Sequence, residues 1–105
     1  MDMKRYDAAL LEWAADEARA AEAARNAGDE RALSLAQMKK SMYETMLITL
    51  GHKSPEKLLK CADEMARRAE SFRARGDYDG EDRSIVQRGA ILRAAKLLGL
   101  EECAK

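Results

Sequence analysis

The stretch that decides the fold is 74–80, Ala-Arg-Gly-Asp-Tyr-Asp-Gly (ARGDYDG), once it is set beside 26–32, Asn-Ala-Gly-Asp-Glu-Arg-Ala (NAGDERA). Both contain a Gly-Asp step. A glycine at the end of a helix takes the left-handed conformation that helix C-termini favour, with no Cβ to oppose it. An aspartate that follows accepts from the free amides of the next helix and complements its dipole. Gly28-Asp29 and Gly76-Asp77 therefore read as stop-and-restart signals between helices, 48 residues apart.

Working outward from these steps, the pattern predicts four helices. The first covers about 3–27, with Tyr6, Leu10, Trp13, Glu17, Ala20 and Ala24 tracing one face at helical spacing. Asp16–Arg19 and Glu22–Arg25 are expected as i,i+3 ion pairs on its wet side. The second runs to about Leu50, where Gly51 stops it, and carries Leu35, Met38, Met42, Tyr43, Met46 and Leu50 on a broad apolar face. Ser54-Pro55-Glu56 opens the third, with serine as N-cap and proline at the first helical position. Its stripe is Leu58, Cys61, Ala62, Met65, Ala69 and Phe72. The fourth begins within Asp77–Glu81 and ends at Gly99.

Sliding the chain by 48 superposes Leu10, Leu11, Ala14, Ala18, Arg19, Ala21, Glu22, Arg25, Gly28 and Asp29 on identical residues. Three of these ten are alanines in an Ala-rich chain and carry little weight. The remainder predict a duplicated helical hairpin, with halves of about 3–51 and 54–99. Two repeats are too few for an open solenoid, which needs three or more. The expected fold is therefore all-α: a four-helix bundle of two related helical hairpins, up-down-up-down, in a single domain of 105 residues. Gly76-Asp77-Tyr78-Asp79 resembles the inter-helix turn of tetratricopeptide repeats. The period of 48 and Glu81, where that family places a small residue, depart from its pattern, and nothing carries over.

Composition narrows the function. The formal net charge is zero, with −2 on residues 1–51 and +2 on 52–105, so the chain lacks the basic excess of a nucleic-acid binder. The opening MDMKRYDAALLEW has no apolar signal-peptide core, and no apolar run reaches a membrane span. Two cysteines without a motif suit a reduced, cytoplasmic protein, with Cys61 expected in the core and Cys103 in a C-terminal tail.

No catalytic set is expected. His52 is the lone histidine, and it follows a helix end where a cation is favoured by the dipole alone. Asp77, Asp79, Glu81 and Asp82 fail the calcium-loop spacing, because Gly80 falls at loop position four and Arg88 at position twelve. No cofactor or metal is expected. A di-metal site built from Asp16, Glu17, Asp63 and Glu64 would lack the Glu-x-x-His motif of such bundles. Arg75-Gly76-Asp77 spells an integrin-type tripeptide, and its turn role explains it.

What remains is an excess of apolar surface on the second and fourth helices. A peripheral bundle helix needs one apolar stripe. The fourth carries Ile85 and Leu92 on one, and Val86, Ala90 and Leu97 on another, with Ile91 and Leu98 beyond. The expectation is a non-enzymatic adaptor, regulator or inhibitor that meets a protein partner or a second copy of itself, as a homodimer. Its contact residues would be Met42, Met46, Ile48, Val86, Ala90, Ile91 and Leu97. The alternative is nucleic-acid association through Lys39, Lys40, Arg83, Arg88 and Arg93. Trp13 is expected as the main core anchor.

Overall fold

The computed structural model describes residues 3–50 and 55–98. Those residues are all-helical. The elements are α1 (Met3–Ala27), α2 (Glu30–Thr45) running on into a π-helical segment (Met46–Leu50), α3 (Pro55–Ala74) and α4 (Tyr78–Leu97). The expectations placed on Gly51, His52, Ser54, Gly99 and Cys103 lie outside the described residues.

The two Gly-Asp steps act as their chemistry requires. Gly28 and Gly76 have φ of 72° and 76°. The amide of Gly28 donates to the carbonyl of Arg25 at 3.1 Å, and that of Asp29 to Ala24 at 2.9 Å. At the second step Gly76 donates to Arg73 at 3.0 Å and Asp77 to Phe72 at 2.9 Å. This is the Schellman closure, which satisfies carbonyls that a helix end would otherwise orphan. The same aspartates then start the next helix. Asp29 Oδ1 accepts from the amide of Ala32 at 3.0 Å, and Asp77 Oδ1 from that of Gly80 at 2.9 Å. One residue thus serves as the last of one motif and the first of the next, which keeps each connection short and fixes its angle.

The chain divides into two compact units, Met1–His52 and Lys53–Lys105. In the first, α2 runs back along α1. Trp13 meets Tyr43 with ring centroids 5.4 Å apart, and Lys39 Nζ meets Glu17 Oε2 at 3.3 Å. Both pairs are centred on Gly28, as an antiparallel pair turning there requires. In the second, α3 and α4 pack together, and Arg73 Nε lies 3.8 Å from Glu81 Oε2. Packing of the helices in pairs is consistent with a bundle.

The largest fully buried side chains are Tyr6, Tyr43, Leu10, Met46, Leu58 and Ile91. Around them the core is mostly alanine: Ala14, Ala21, Ala24 and Ala36 in the first unit, Ala62, Ala69, Ala90, Ala94 and Ala95 in the second. Small side chains let helix backbones approach closely, so each unit holds together with few large residues. Three details differ from expectation. On α1 the inward alanines are Ala14, Ala21 and Ala24, whereas Ala20 is exposed. Trp13 is half-buried, and Tyr6 and Tyr43 are the buried aromatic anchors. Cys61 is a free, half-buried thiol rather than a core residue.

Candidate functional site

The residues expected at a contact surface divide three ways. Met46, Ala90 and Ile91 are closed into the core. Met42, Val86 and Leu97 are half-buried. Ile48 is 78 % exposed. The buried three offer no surface to a partner in this conformation, because they fill the inward side of their own helices. In their place three other large apolar residues stand in solvent: Leu11, Tyr78 and Ile85. Tyr78 and Ile85 share one side of α4, seven residues apart, and Leu92, half-buried, continues the line by another seven. That spacing was readable in the sequence. The inward side of α4, marked by Ser84, Ala90, Ile91, Ala94 and Ala95, leaves this line facing out.

The basic residues of the nucleic-acid alternative are mostly engaged. Lys39 reaches Glu17 at 3.3 Å, Lys40 reaches Glu44 at 3.1 Å and Arg83 reaches Asp79 at 3.0 Å. Arg88 and Arg93 are exposed.

Among the described residues no group of three or more His, Cys, Asp or Glu side chains is arranged to hold a metal ion. The carboxylates considered for such a site look elsewhere. Asp16 pairs with Arg19, Glu17 with Lys39, and Glu64 with Arg68. Arg75-Gly76-Asp77 is consumed by its turn: Gly76 closes α3, Asp77 caps α4, and the Arg75 guanidinium lies 4.9 Å from the centre of the Phe72 ring.

A groove of about 330 Å³ runs between α1 and α2 over Ala18 and Ala21. It reaches the size of small-ligand pockets. Its charged walls, however, are already satisfied in pairs, Arg25 with Glu22 at 3.2 Å and Lys40 with Glu44 at 3.1 Å. A ligand would compete with those pairs, and the uncharged polar groups that line the groove are Gln37 and Ser41.

Tyr6 is 1 % exposed, and its hydroxyl has no hydrogen-bond partner among the described residues. Burial, with a smaller contribution from the negative charge of Asp7, pushes its phenol up from 10.0 to about 12. The folded state therefore favours the neutral phenol. That preference costs nothing below about pH 10, and it removes stability as pH rises from 10 through 12. Tyr6→Phe should lose this alkaline sensitivity. At neutral pH it should be no less stable than the parent, because it removes a buried hydroxyl that lacks a partner. Urea melts of both proteins at pH 7 and pH 10.5 check this. A Tyr6→Phe protein that loses more than ~1 kcal/mol at pH 7 would show that the hydroxyl is bonded.

No family model matches the chain, and no curated protein or solved structure matches it either. Among the described residues no helix is long and apolar enough to cross a membrane.

Proposed function

We propose that this is a small helical protein that acts by contact with another protein chain, as an adaptor, regulator or inhibitor, and not by catalysis. The observation that carries the reading is the exposure of Ile48 and Ile85, at 78 % and 53 %, on a chain with few large apolar residues. A fold short of large core residues does not place isoleucines outside to stabilise itself. A partner that covers them would recover the transfer free energy, ~1.5–3 kcal/mol for a fully buried side chain. A reduced, cytoplasmic setting suits the free thiol of Cys61. The nucleic-acid alternative has less support, since Lys39, Lys40 and Arg83 already have carboxylate partners and the net charge is zero.

We also infer that the two units are related hairpins, duplicated and then diverged. Burial supports this: Leu10, Ala14, Ala21, Ala36, Tyr43 and Met46 are buried, and so are Leu58, Ala62, Ala69, Ser84, Ile91 and Ala94, each 48 residues later. The paired turns, alike in their closing and capping bonds, support it too.

A photo-cross-linking residue placed at Ile48 or at Ile85, in cells that make the protein, tests the contact reading. Adducts of discrete mass are expected at one or both positions, well above those from exposed Arg31. Equal labelling at all three positions would overturn it.

A further inference from the structure

We draw no further inference here: the strongest candidate, the outward apolar face of α4 marked by the exposed Tyr78 and Ile85, carries nothing beyond the contact reading above, because nothing in the structure shows what covers it.

Discussion

Leu58→Ala should lower the unfolding free energy by about 2–5 kcal/mol, and Leu10→Ala, its counterpart 48 residues earlier, by a similar amount. Both leucines are 0 % exposed, and each has a buried alanine one helical turn on, Ala62 and Ala14. The cost of such a truncation depends on how far the neighbours collapse into the space left behind. Here they have little to collapse with. Ala62, one turn from Leu58, and Ala14, one turn from Leu10, are buried and have no rotamers to change. The helices themselves are held at the Gly-Asp turns by two backbone bonds and a capping carboxylate each. The upper half of the range is therefore expected. With total stabilities of domains near 5–15 kcal/mol, either variant would retain only part of its stability. Urea denaturation followed by far-ultraviolet circular dichroism gives the number. A loss below ~1 kcal/mol would mean that the side chain does not pack as the burial indicates.

Which parts were legible follows from where the determining forces act. Helix ends were readable because their chemistry is local: Gly28, Asp29, Gly76 and Asp77 fix turns through their own dihedrals and side chains. The ion pairs Asp16–Arg19 and Glu22–Arg25 were readable for the same reason, at three residues' separation. Rotation of each helix about its axis was not. With alanine on nearly every face of α1, no phase stands out, and helical spacing from Tyr6 selects Ala20 where packing selects Ala14. On α4 two apolar stripes compete, and only packing against α3 decides that Ala90 and Ile91 go in while Ile85 stays out. The candidate contact surface inherits that ambiguity: periodicity alone admits Met46, Ala90 and Ile91, which are buried, and does not single out Tyr78 and Leu11, which are exposed. The switch to π-helix over Met46–Leu50 has no signal in composition.

Gly80→Ala should destabilise the protein by about 1–3 kcal/mol, although alanine is the better helix former by ~1 kcal/mol. A Cβ at Gly80 would lie 2.6 Å from Phe72 Cδ1 and 2.7 Å from Phe72 Cγ. Those atoms are near the root of the ring, so a small rotation of the side chain does not relieve the clash. The ring must leave its place, and its stacking under Arg75 goes with it. The first unit shows the other solution to the same crossing. The residues 48 positions before Phe72 and Gly80 are Ala24 and Ala32, two small side chains where the second unit has one large and none. The volumes trade: a ring on α3 demands a bare backbone on α4. Phe72→Ala alone should cost stability through lost burial. Phe72→Ala with Gly80→Ala rebuilds the pair of the first unit, so the double variant should be more stable than the sum of the two single losses predicts. A coupling of about 1–2 kcal/mol is expected, within the range found for residues in contact. Additive losses would mean that Phe72 moves aside freely. In that case the glycine at 80 would owe its place to the capping turn of Asp77, whose Oδ2 stands 3.0 Å from the same Cβ. Asp77→Ala in the Gly80→Ala background separates the two causes. Relief of the loss there would assign it to the carboxylate, and a further loss of ~1 kcal/mol, as for an ordinary N-cap, would assign it to the ring.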